Sequence, residues 1–167
     1  MANRKGLRDE LARKIARAIP SVAVHIAGGF GFSLRPTAEV QQSKSSHSSA
    51  TCDILITTKR GAPLTALAIH ERKLAPEELA AVAAHSNTLR SLYPHLSYGL
   101  VVGRAQNLPA GLTTSSVSFA LAMGTKNTDW KPVIRFVKRQ TKLALFAYKR
   151  SKRPKPARRI ETVVKVK

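Results

Sequence analysis

The apolar residues of this chain fall into short groups with different spacings, and those spacings restrict the fold more than any other feature. Leu7, Leu11, Ile15 and Ile19 recur every four residues, one stripe of an amphipathic helix, and Pro20 stops it. Ser21 to Ile26 then reads as a strand, and Ala27-Gly28-Gly29-Phe30-Gly31 breaks the chain. Cys52 to Thr58 and Pro63 to Leu74 read as two more strands joined by a Lys59-Arg60-Gly61 turn. Pro76 suits the first turn of a helix, where Glu77 and Glu78 meet the positive end of its dipole. Leu79, Val82, Ala83, Ser86 and Leu89 carry that helix towards Pro94. Ser97 to Val102 and Ser116 to Met123 are further strands, and Trp130 to Tyr148 has helical spacing again. This order predicts an α/β domain over residues 1–148, with a small mixed central sheet flanked by helices.

The remaining segments are polar. From 35 to 50 the chain is rich in serine and glutamine, a composition that predicts a mobile loop. From 149 to 167 it holds nine Lys and Arg against one acid, Glu161, and reads as a flexible basic arm. The longest apolar runs, such as Leu64 to Ile69 and Tyr98 to Val102, are far shorter than the ~20 residues of a membrane-spanning helix. Cys52 is the one cysteine, which excludes an internal disulfide and any multi-cysteine zinc site and suits a reducing compartment.

Charge names the class of partner. Against 29 Lys and Arg the chain has nine Asp and Glu, a net charge of +20. Such a surplus makes a compact domain repel itself unless a polyanion shares its surface. The polyanion expected here is nucleic acid, because each neutralised phosphate releases counterions. A membrane is not the expected partner: the basic segment from Arg4 to Ile19 contains Asp9 and Glu10 and has no Trp or Phe to anchor it in lipid. Arg4 and Lys5 at one end, and Lys149, Arg150, Lys152, Arg153, Lys155, Arg158 and Arg159 at the other, are the expected phosphate contacts. Trp130, Phe146 and Tyr148 carry rings that either stack on bases or pack in the core.

With so few acids, their positions are informative. Asp53 and Glu71 both stand in apolar strand-like segments, where a carboxylate needs a partner or a cation. On one strand Glu71 and Lys73 would share a face, and an adjacent strand would bring Asp53 to them. Two carboxylates and a lysine can hold a hard divalent ion, orient a water and offset charge on a phosphate. The alternative is an ordinary ion pair of Glu71 with Lys73 or Arg72, with Asp53 capping a turn.

An Asp at a strand start followed by Glu-x-Lys on the next strand resembles the PD-(D/E)XK nuclease superfamily. Glu10 corresponds to the helix glutamate that often completes that family's metal site. Arg4-Lys5-Gly6 followed by Glu10-Leu11 is similar to the opening of the archaeal Holliday-junction resolvases. The resemblance covers roughly residues 4 to 103. It implies a restriction-endonuclease-like sheet, a Mg²⁺ or Mn²⁺ cofactor held by Asp53, Glu71 and Glu10, and Lys73 at the attacking water. It also implies a homodimer that cuts branched DNA; the reducing compartment that the single cysteine suits is expected to be the cytoplasm or the nucleoid. His25 and His70 are auxiliary candidates. The alternative reading is a basic nucleic-acid-binding protein with the same fold and a degenerate site.

Overall fold

The computed structural model describes residues 4–26, 33–35, 52–72, 74–103, 108–112, 116–123, 130–151 and 163–165. For residues 4, 5, 33–35 and 163–165 only the backbone is described. The elements in chain order are α1 (Arg4–Ala18), β1 (Val22–Ile26), β2 (Ser33–Arg35), β3 (Ile54–Thr58), β4 (Pro63–His70), α2 (Pro76–Leu92), β5 (Ser97–Val102), β6 (Phe119–Ala122), α3 (Trp130–Ser151) and β7 (Val163–Lys165). Among the described residues no helix is long and apolar enough to cross a membrane.

Five strands form one mixed sheet in the order β1-β3-β4-β5-β6. β1, β3 and β4 make an antiparallel run, while β5 joins β4 in parallel and β6 joins β5 in parallel. Two parallel neighbours need a long crossover, and α2 supplies it between β4 and β5. The β3–β4 turn closes through Thr58 N–H to Ala62 O and Gly61 N–H to Thr58 O, each 2.9 Å. Gly61 sits there at φ 87°, a conformation side chains disfavour, so the glycine predicted for the turn is required by it.

Strand side chains alternate faces, and both faces of this sheet are covered. Ile54, Ile56, Leu67, Ile69, Val101 and Phe119 pack under α1 and α3, where Leu11, Ile15, Val133, Val137 and Ala144 meet them. Leu55, Ala66, Ala68, Leu100 and Val102 face the other way, under Val82 and Leu89 of α2. The predicted stripe of α1 is buried throughout, with Leu11 and Ile15 fully enclosed.

A polar bolt crosses the first of these layers. Thr65 of β4 and Thr141 of α3 are both buried and their hydroxyls lie 2.9 Å apart. Thr141→Val is expected to destabilise the fold by about 1–3 kcal/mol, because it strands the Thr65 hydroxyl in the core. Replacing both threonines by valine should recover much of that loss, since no orphaned polar group remains. Urea melts of the single and double variants measure the coupling.

Three expectations need correction. β3 begins at Ile54 and β4 ends at His70, so Asp53 and Glu71 lie just outside the strands rather than within them. α3 runs to Ser151, so Lys149 and Arg150 belong to its last turn and not to a free arm. Lys and Arg are good helix formers, and their charge complements the negative end of the helix dipole, so a basic run does not end a helix. Finally, Val163–Lys165 pairs antiparallel with Ser33–Arg35, which places a strand inside the segment predicted to be unstructured. Residues 36–50 of the expected mobile loop lie outside the described residues.

Candidate metal and nucleic-acid site

Asp53 enters the sheet one residue ahead of β3. Its backbone N–H donates at 2.8 Å to the carbonyl of Leu67, the residue that Ile54 already faces across the β3–β4 pair. Its side chain does the next rung's work: the Ile69 N–H donates to Asp53 Oδ2 at 2.7 Å. A carboxylate thus stands where a strand carbonyl would be, and one of its two oxygens is engaged. Beneath it the Cys52 thiol and the Tyr98 phenol are both pushed up, by burial first and also by the Asp53 charge. Burial favours the neutral form of both.

Glu71 follows from the other strand. β4 stops at His70 because its neighbours stop there: β3 has given way to the Asp53 side chain, and Gly103 N–H closes β5 onto His70 O at 2.7 Å. Glu71 therefore sits half-buried in the bend two residues beyond Ile69, and Arg72 beside it is exposed. β4 ends at His70, ahead of the positions at which Glu71 and Lys73 are expected to share a strand face, and Lys73 lies outside the described residues. Register places Asp53 and Glu71 at one end of the β3–β4 pair. Among the described residues no hydrogen bond or ion pair engages the Glu71 carboxylate.

Glu10 is positioned differently. Leu7, Leu11 and Ile15 take the core side of α1, which turns Glu10 outwards to an exposed pair with Lys14, 3.8 Å between Nζ and Oε1. Among the described residues no three His, Cys, Asp or Glu side chains come together to hold a metal ion, so Glu10 does not join Asp53 and Glu71 as a third direct ligand. His25 Nε2 lies 3.0 Å from Thr57 Oγ1, a contact between neighbouring strands. Asp53 and Glu71 stand at the same end of the β3–β4 pair, and a pair of carboxylates is a donor set that Mg²⁺ takes together with waters and phosphate oxygens.

The charge is distributed unevenly between the two helical layers. α3 carries Lys131, Arg135, Lys138, Arg139, Lys142, Lys149 and Arg150 with no acid, and all seven are exposed. α1, on the same side of the sheet, exposes Arg13 and Arg17 as well. α2, on the opposite side, has Glu77 and Glu78 exposed and Arg90 as its single cation. Of the expected phosphate contacts, Lys149 and Arg150 are exposed, and Arg4 and Lys5 lie in the first turn of α1. Lys152, Arg153, Lys155, Arg158 and Arg159 lie outside the described residues. The basic arc of α3 is a feature that apolar spacing alone misses; its signal in the sequence is the set of cations at 131, 135, 138, 139 and 142.

Compared with protein-family models, curated proteins and solved structures, the chain matches none.

Proposed function

We propose that this chain is a Mg²⁺- or Mn²⁺-dependent endonuclease of the PD-(D/E)XK type that cuts DNA, with branched or junction DNA as its preferred substrate. The observation that carries the reading is the register of β3 on β4. It begins at Ile54 opposite Leu67, and the Ile69 N–H donating to the Asp53 carboxylate ties Asp53 to the end of β4 two residues before Glu71, beside three antiparallel strands that continue through α2 into a parallel one. Asp53 and Glu71 would hold the cation, which supplies Lewis-acid stabilisation of the charge that develops on the phosphate oxygens. Among the described residues no other group engages the Glu71 carboxylate. Lys73 takes the role of orienting the attacking water and neutralising the pentacoordinate phosphorus centre. Glu10 assists through a water rather than directly, given its outward position on α1. One P–O bond forms to the water oxygen, one P–O bond of the backbone breaks, and a proton passes to the departing alkoxide.

One observation favours the second reading, a basic nucleic-acid-binding protein with a degenerate site. The Asp53 carboxylate already has a structural task in accepting the Ile69 N–H. Incubating the purified chain with four-way-junction, flapped and linear duplex DNA, with and without Mg²⁺, separates the two. Metal-dependent cuts concentrated at the branch point are expected of a structure-selective nuclease. Tight binding with every substrate left intact would favour the degenerate site.

A further inference from the structure

The outer face of α3 pairs charge with an aromatic ring that has no place in the core. Its exposed cations fall within about a third of the helix circumference and run from Lys131 to Arg150, a length of about 28 Å. Among the described residues none of them meets a carboxylate. Within this stripe stands Phe146, 61% exposed, with the Arg150 guanidinium 5.6 Å from its ring centroid. Helical spacing puts Lys142 and Arg139 on the same arc, one and two turns before it. The opposite side of the helix is occupied by the sheet: Thr141 bonds Thr65 and Gln140 accepts from Ser97.

We propose that this face of α3 is a track for single-stranded nucleic acid, with Phe146 as the platform on which an unpaired base stacks. The proposal shares the nucleic-acid half of the functional reading and does not depend on cleavage. A row of cations spaced about one helical turn apart attracts any polyanion. The ring decides which polyanion it is. The phosphate rim of a duplex offers Phe146 nothing to stack on, whereas an unpaired base offers a π-face, and an arginine beside the ring adds to the contact. A lipid surface fits less well, because the apolar arc of α3 is spent on the sheet and leaves Phe146 and Leu143 as its exposed large apolar residues.

The test is fluorescence anisotropy with an oligothymidylate of about 16 nucleotides and a duplex of equal length, in a metal chelator so that no cleavage intervenes. Phe146→Ala should weaken oligothymidylate binding about tenfold and leave duplex binding unchanged, and Phe146→Trp should restore it. Arg135→Gln with Lys142→Gln should reduce the slope of log K against log salt by about 0.7 for each phosphate that is no longer neutralised. All of these residues are exposed, so the variants should keep the parent melting temperature. The proposal is overturned if Phe146→Ala leaves oligothymidylate binding intact or weakens both DNAs equally. It is also overturned if the loss is confined to binding of phosphatidylserine vesicles. None of these outcomes bears on Asp53 and Glu71, whose reading stands or falls on metal-dependent cutting.

Discussion

Gly99→Val is expected to abolish cooperative folding, and Gly99→Ala to remove about 3 kcal/mol of stability. Gly99 lies in the middle of β5, in register with Phe119 of β6. The Phe119 ring lies directly over the glycine, so a Cβ there would overlap its outer carbons. The ring cannot swing clear: it is buried, and it packs against Phe136 of α3 with centroids 5.4 Å apart. An alanine must displace the ring and, with it, part of the packing on α3, while valine's two further methyls leave no repacking that keeps β6 in place. Domains of this kind are stable by only ~5–15 kcal/mol, so the valine variant is expected to exhaust the margin. Thermal melts check this directly, with Gly99→Ala expected about 6–12 °C below the parent. Phe119→Leu in the Gly99→Ala background should recover part of the loss, because the smaller side chain vacates the space. An unchanged melt for Gly99→Ala would mean the ring packs elsewhere.

The second large effect separates what Asp53 does for the fold from what it does for chemistry. Asp53→Ala leaves the Ile69 N–H without an acceptor and should cost about 1–3 kcal/mol in urea melts. Asp53→Asn keeps an amide oxygen that can accept the same proton, so it should melt close to the parent. Both changes remove the carboxylate charge, and both should eliminate Mg²⁺-dependent cutting. DNA binding should persist or strengthen in both, as a negative charge near phosphate disappears. A cut rate retained by Asp53→Asn would reduce the residue to its hydrogen bond.

Much of the framework is legible in the sequence because its elements are locally encoded. The four-residue stripe of α1, proline at the head of α2 and the unbroken apolar run of β5 each determine an element without reference to distant residues. The ends of β3 and β4 are not legible in this way. Where a strand stops depends on where its neighbours stop, and here the Asp53 side chain and the closure of Gly103 onto His70 decide it. The β2–β7 pair joins three residues near position 34 to three near 164, a pairing that no local pattern announces. For the candidate site, the sequence makes Asp53 and Glu71 candidates by residue type, and their convergence depends on β3 lying beside β4; that pairing is observed, with both acids just beyond the strand ends. The outward turn of Glu10 follows from helical geometry, since the same stripe that buries Leu7, Leu11 and Ile15 exposes the residue before Leu11. The exposed ring of Phe146 depends on which arc of α3 the sheet occupies, and that is a tertiary fact.

The most direct test of the nuclease account compares the parent chain with Glu71→Gln on supercoiled plasmid and four-way-junction DNA across a Mg²⁺ titration. Glu71 has no structural bond among the described residues, so its amide variant should fold and bind DNA as the parent does. Nicking is expected to rise with Mg²⁺ in the parent and to be absent in Glu71→Gln. Equal nicking by the two proteins, or intact DNA with the parent at every Mg²⁺ concentration, would contradict it.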